Sequence, residues 1–135
     1  MLDTNIASAA IRGDAGIDQR LLELAPGSWC ISAVTRAELR FGIALKPQAT
    51  RVARLVDDFL LVAEVAPWDS DAADAYGQLR AALQASGTPI GVFDEMIAAH
   101  ALATGAIMVT DNTRHFARVP GLILENWLRP AKSRP

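Results

Sequence analysis

What most limits the fold of this chain is a set of apolar runs too short to be helices, separated by stretches with helical periodicity. Trp29-Cys30-Ile31, Leu61-Val62-Ala63-Glu64-Val65, Ala106-Ile107-Met108-Val109-Thr110 and Leu122-Ile123-Leu124 are such runs, and Met1-Leu2 reads as the tail of another. Short runs that are apolar on both faces fit interior strands. Between them, Ile17, Leu21, Leu22 and Leu24 recur at helical spacing until Pro26-Gly27 closes the segment. Further helices are predicted over about 34–45, 49–61, 69–86 and 93–104, and a helical turn or loop over 112–116. In the helix at 49–61, Val52, Leu55, Val56 and Phe59 share one face. Strands alternating with helices imply an α/β fold with a mostly parallel central sheet covered on both sides.

The punctuation agrees. Thr4 or Asn5 can cap a first helix through Ile6–Ala10, which Gly13 stops, and Gly105 stands where a left-handed cap needs no Cβ. Gly87-Thr88-Pro89-Ile90-Gly91 is a loop. There is no repeat and no linker, so residues 1–128 form one domain, followed by a basic, proline-bearing tail at 129–135 that is expected to be frayed and disordered.

Composition narrows the function. A chain of 135 residues that is 51% apolar can bury one sizeable core and is too apolar for disorder. A net charge of -2 gives no global attraction to a polyanion. Cys30 is the sole cysteine, which excludes an internal disulfide and fits a reducing compartment. No leader pattern and no apolar run of spanning length is seen, so the expected setting is cytoplasmic, with no membrane.

Four acids stand at positions that this topology can bring to one sheet edge. Functional groups in an open α/β sheet gather beyond the carboxyl ends of its strands. Asp3 follows the first strand, Ser32 the second and Asp111 the strand at 106–110, while Glu38 and Asp94 sit near the starts of the next helices. Two carboxylates ~4 Å apart at an effective dielectric of ~20 repel by about 4 kcal/mol. Four such groups need a shared proton or a cation. An oxygen-only set selects Mg²⁺ or Mn²⁺, and a water on such an ion can supply the hydroxide that attacks a phosphodiester. Thr4, Asn5, Ser32, Thr110 and Asn112 are the neighbours that can support the acids.

Each residue also has a plainer use. Asp3 and Asp94 can cap or complement helix starts, Asp111 can be a turn residue, and Glu38 can pair with Arg36 or Arg40 in solvent. Glu38 shares a stripe with Val34, Phe41 and Leu45, however, which would turn it inward. Periodicity does not separate Asp94 from Glu95. His100 reads as packed on an apolar helix, and His115 and Arg114 as solvent-exposed or phosphate-facing. Trp68, Trp127 and Phe93 read as core. Arg36, Arg40, Lys46, Arg51 and Arg54 can line an RNA path or form a solvated face. No phosphate-cradling loop, dinucleotide fingerprint or nucleophile elbow competes.

These segments resemble the PIN-domain ribonucleases, in particular the VapC-type toxins of bacterial toxin–antitoxin pairs. The resemblance rests on Leu2-Asp3-Thr4-Asn5, on Ile31-Ser32 through Glu38-Leu39 to Gly42, and on Ile90-Gly91 through Asp94 to Ile97-Ala98-Ala99-His100-Ala101. It continues in Val109-Thr110-Asp111-Asn112 through Phe116, Val119-Pro120-Gly121 and Glu125-Asn126-Trp127, in the family's order and over nearly the whole chain. The resemblance implies a PIN-like three-layer α/β/α sandwich and a Mg²⁺- or Mn²⁺-dependent endoribonuclease. Its implied partners are an RNA substrate, a small VapB-like antitoxin through which alone DNA is met, and a second copy in a homodimer. Asp3, Glu38 and Asp94 match the family's acidic positions. The family varies at the fourth, which Asp111, Asn112 or a residue just beyond can fill.

Two other classes compete. One is a non-catalytic acidic-pocket α/β module that responds to a cation or a phosphate, against which stands the lack of a lysine at the end of a late strand. The other is an interaction protein whose acids are only caps.

Overall fold

The computed structural model describes residues 1–129, so most of the expected tail lies outside the described residues. Its helices are α1 (Thr4–Ile11), α2 (Ala15–Glu23), α3 (Ala33–Ala44), α4 (Thr50–Val62), α5 (Ser70–Ala85), α6 (Val92–Thr104) and α7 (Thr113–Phe116). Its strands are β1 (Cys30–Ser32), β2 (Glu64–Ala66), β3 (Met108–Val109) and β4 (Leu124–Glu125). β1 pairs parallel with β2, and β3 parallel with β4. Leu2 bridges the two pairs, parallel to Ile31 on one side and Val109 on the other. The leading segment Met1–Asp3 is therefore the middle of a parallel sheet ordered β2, β1, lead, β3, β4.

That order sets the topological switch point at the lead. The chain leaves it for β1 and β2 on one side and returns to β3 and β4 on the other. A crevice at the carboxyl end of the lead follows from this order alone, and Asp3 stands at its floor.

Alternation along the strands divides the core. Leu2, Ile31 and Val109 face Ile6, Ala9, Ile17, Val56 and Leu60 of α1, α2 and α4. Met1 and Met108 face the other way, onto Leu79, Leu83, Ile97, Ala98 and Ala101 of α5 and α6. The result is the three-layer α/β/α sandwich, with helices on both faces of the sheet. α6 is buried nearly all round, since Ala98, Ala99 and Ala101 let its neighbours approach closely. Gly105 ends it in the left-handed region at φ 68°, as its position in the sequence requires.

Several details differ from the sequence expectation. Of the three caps open to α1, the structure takes Asp3 rather than Thr4 or Asn5, because the helix already begins at Thr4. The run at 61–65 divides: Leu61 and Val62 finish α4, and the strand is Glu64–Ala66. The last strand is Leu124–Glu125, two residues later than the run at 122–124, since Leu124 rather than Leu122 pairs with Met108. α4 buries Val56 and Leu60 and leaves Val52 and Leu55 exposed, because it packs with its later turns on α1. On α3, Val34 and Leu39 are buried, whereas Phe41 and Leu45 are in solvent. Phe93, expected in the core, is 58% exposed, since the first turn of α6 projects past the sheet. Arg129, expected to be loose, is held by Asn126 and Asp111. Among the described residues no helix is long and apolar enough to cross a membrane.

Candidate active site

Asp3 is fixed from both ends. Its N–H donates to Val109 O at 2.9 Å, which places the backbone in the sheet. Its Oδ1 accepts the Ile6 N–H at 2.8 Å, which caps α1. The buried Thr110 hydroxyl and the Asn5 N–H also reach this carboxylate. Asp3 is nonetheless only 3% exposed. Burial raises its pKa above the usual carboxylate range, the charge of Asp94 adds to the rise, and the hydrogen bonds from Thr110, Ile6 and Asn5 oppose it.

Asp94 enters from the far side of the crevice, in the first turn of α6. Gly91 precedes that helix at φ 100°, a conformation that glycine alone adopts readily, and so aims the turn. Burial raises the Asp94 pKa, and His115 opposes the rise with Nε2 3.1 Å from Asp94 Oδ2. Glu95 turns away: it is buried, and its Oε1 accepts the Ile90 N–H at 3.3 Å. The structure thus separates two acids that periodicity could not.

Glu38 lies past the first turn of α3, half-buried. Its Oε1 accepts the Thr4 hydroxyl at 2.7 Å, and Thr35 Oγ1 lies 3.2 Å from Thr4 Oγ1. A carboxylate only accepts, so the two hydroxyls form a chain that ends on Glu38. Asp111, just beyond Thr110, is held by the C-terminal segment. Asn126 Nδ2 donates to its Oδ1 at 3.0 Å, and Arg129 Nε lies 3.3 Å from the same oxygen. The Asn112 side chain is exposed, and its N–H donates to Thr110 Oγ1 at 3.0 Å.

Ser32 is directed elsewhere. Its Oγ accepts the Val34 N–H at 3.1 Å, which caps α3, and lies 2.8 Å from His100 Nδ1. The Ser32 hydroxyl, which accepts from Val34, has its own proton to donate to Nδ1 of a neutral ring. Burial lowers the His100 pKa, with Asp69 and the Pro67 carbonyl opposing. His100 is thus a packed, hydrogen-bonded core residue, as its apolar helix suggests.

Asp3 and Asp94 are near enough for one charge to act on the other, while Glu38 and Asp111 are each engaged by neighbours. Among the described residues, no three His, Cys, Asp or Glu side chains are gathered into a finished metal cage. The donor set still fits a hard cation. It is all oxygen, and Asp3 carries a charge that both burial and Asp94 disfavour, a penalty that a cation between them would reverse. A groove of about 540 Å³ is lined by Thr4 and Glu38 together with Arg12 and Lys46. Arg36, Arg51 and Arg54 are exposed, and Arg40 is paired with Asp57.

Thr35, His115, Asn126 and Arg129 were not singled out as site residues by sequence. Thr35 stands one helical turn before Glu38, a spacing by which the sequence could have revealed it. His115 contradicts the solvent-exposed reading, because α7 turns its ring inward against Phe116. No spacing rule joins it to a residue 21 positions earlier.

The PIN domain family matches residues 1–122. The tRNA(fMet)-specific endonuclease VapC of Shigella flexneri is 41% identical over 127 residues, covering 94% of this chain and 96% of that protein. Ribonuclease VapC2 of Rickettsia felis is 37% identical over 129 residues, covering 94% and 96%. The crystal structure of VapBC2 from Rickettsia felis, bound to a DNA fragment from their promoter, contains a chain that superposes with a TM-score of 0.88. That chain is 36% identical, and the match covers 94% of this chain and 97% of that one.

Proposed function

We infer the activity from this premise: the chain belongs to the PIN domain family. On it, the protein is an endoribonuclease that hydrolyses RNA phosphodiesters with the help of Mg²⁺ or Mn²⁺, and the toxin of a VapBC-type toxin–antitoxin pair. The observation that supports the reading is that Asp3, at the carboxyl end of the lead, lies within reach of the Asp94 charge, and that burial disfavours the charged form of each carboxylate.

Asp3, Glu38, Asp94 and Asp111 would hold the ion, whose chemistry is to acidify a water and offset charge on the phosphate. The chain's own residues orient that set. Thr110 and the Ile6 N–H fix Asp3, and the Thr35 and Thr4 hydroxyls fix Glu38. Asn126 and Arg129 fix Asp111. Arg12 and Lys46 set positive charge along the groove that Glu38 also lines, where a phosphate backbone gains most from it. Net charge is -2, so such local cations must carry the attraction.

The likeness to a tRNA(fMet)-specific endonuclease makes initiator tRNA the first substrate to test. The solved VapBC2 complex on promoter DNA supports a VapB-like antitoxin partner; DNA contact through that partner and a homodimeric toxin complete the proposal. The test is incubation of purified protein with initiator tRNA and with total RNA, in Mn²⁺ and in EDTA. Cleavage is expected only with metal, and Asp94→Asn is expected to abolish it while unfolding stays nearly unchanged. Undiminished cleavage by that variant would remove Asp94 from the mechanism.

A further inference from the structure

Segment 110–116 reaches both carboxylates at the switch point. At its start, the buried Thr110 hydroxyl lies beside the Asp3 carboxylate and favours its charged form. The Asn112 N–H donates to that same Thr110 oxygen at 3.0 Å, which pins the turn into α7. One turn later, His115 Nε2 lies 3.1 Å from Asp94 Oδ2. The His115 ring is not free to swing. It stands edge-on to Phe116, with centroids 5.3 Å apart and planes at 87°, and Phe116 is a fully buried core residue. His115 is half-buried, while the Asp94 side chain is 40% exposed. A carboxylate that open to solvent turns readily about its rotamers unless a neighbour holds it.

We propose that His115 is a positioning residue, which holds Asp94 Oδ2 from the rigid turn 110–116 and leaves Oδ1 turned to the cation. The inference rests on the metal-dependent reading above and deepens it. A nitrogen facing a carboxylate at this distance carries the proton and donates, whichever form the ring takes. That bond occupies Oδ2 and fixes the carboxylate plane. Among the described residues, Asp94 Oδ1 has no side-chain donor, so it remains the oxygen available to an ion. The arrangement matches the way outer-shell donors orient metal-binding carboxylates, whose loss typically weakens metal affinity by about 10–100-fold. It also makes the spacing of Asp3 and Asp94 a property of one short segment. Thr110 and His115 lie against one each, so neither carboxylate drifts relative to the other.

The test is direct Mn²⁺ binding, followed by the electron paramagnetic resonance of the free ion, so that no turnover is needed. Three variants separate the donor from the packing. His115→Phe keeps an aromatic ring against Phe116 but has no donor, His115→Gln places an amide N–H near the position of Nε2, and His115→Ala removes both. The expected result is that His115→Phe and His115→Ala both weaken Mn²⁺ binding by about 10–100-fold, and that His115→Gln recovers most of the loss. Urea midpoints separate packing from orientation, since His115→Phe should unfold like the unaltered protein. Unchanged Mn²⁺ affinity in His115→Phe, or equal weakening in His115→Gln and His115→Phe, overturns the proposal. Asp94→Asn distinguishes the two levels. If it loses Mn²⁺ while His115→Phe does not, the bracket fails and the metal reading stands. If the unaltered protein binds no Mn²⁺, both fall.

Discussion

Asp3 holds two jobs that substitution can separate. As a cap, it accepts the Ile6 N–H; as a charge, it sits where burial and Asp94 disfavour ionisation. Asp3→Asn keeps one acceptor oxygen for the Ile6 N–H but removes the charge. Asp3→Ala removes everything. Loss of the cap costs about 0.5–2 kcal/mol. The Thr110 hydroxyl, fully buried, would lose its acceptor, at about 1–3 kcal/mol. Asp3→Ala should therefore cost roughly 2–4 kcal/mol. At about 3–4 °C per kcal/mol for a chain of this size, that is a fall in Tm of roughly 6–16 °C. Asp3→Asn should instead unfold above the unaltered protein in EDTA at pH 7.

The pH dependence carries a sign. The folded pKa of Asp3 is raised, so well below the unfolded value both states are protonated and the charge costs nothing. As pH rises from the unfolded pKa through the raised folded one, the unfolded state ionises first and the folded state loses stability. The advantage of Asp3→Asn should grow over that window and then level off. Adding Mn²⁺ should reverse the order. A ligand at 100 times its Kd stabilises by about 2.7 kcal/mol, and only the charged site should gain it. Scanning fluorimetry in EDTA and in Mn²⁺ measures all of this. Asp3→Asn falling as far as Asp3→Ala in EDTA would refute the division into cap and charge.

Three other outcomes follow from the hydrogen bonds and the backbone. Ser32→Ala should destabilise by about 2–4 kcal/mol in urea, because it uncaps α3 and leaves the buried His100 Nδ1 without a donor. Gly91→Ala should cost about 1–3 kcal/mol, since φ 100° strains any side chain, and should lower cleavage by shifting the first turn of α6. Thr4→Val removes the hydroxyl at 2.7 Å from Glu38, a bond to a charged group worth about 1.5–3 kcal/mol; urea midpoints should report the loss, and RNA cleavage should fall with it.

Much of this was legible in the residues, for reasons that also mark where reading stops. α6 was placed within a residue because Gly91 and Gly105 bound it on both sides, and each glycine serves a positive φ. The short apolar runs located the sheet, since few other structures accommodate them. Its strands are only two or three residues long, however, so each end depended on which neighbour paired, as with Leu124 and Met108. The face of α4 was misjudged because an apolar stripe of Val52, Leu55, Val56 and Phe59 exceeds what one neighbouring helix covers. The places of Asp3 at the end of the lead and of Asp94 in the first turn of α6 were readable from strand and helix ends. The bonds of Asp111 to Asn126 and Arg129, and of Asp94 to His115, were not, because they join segments whose side-chain directions only the packed chain sets.

The middle of the sheet is made first and completed last. Asp3 takes its place only when its N–H meets the Val109 carbonyl, and Thr110 N–H in turn needs Glu125 O. A ribosome making this protein would release the opening segment more than a hundred residues before its partner exists. A growing chain therefore has no assembled pocket until β3 and β4 have been made, and cutting power should wait for them.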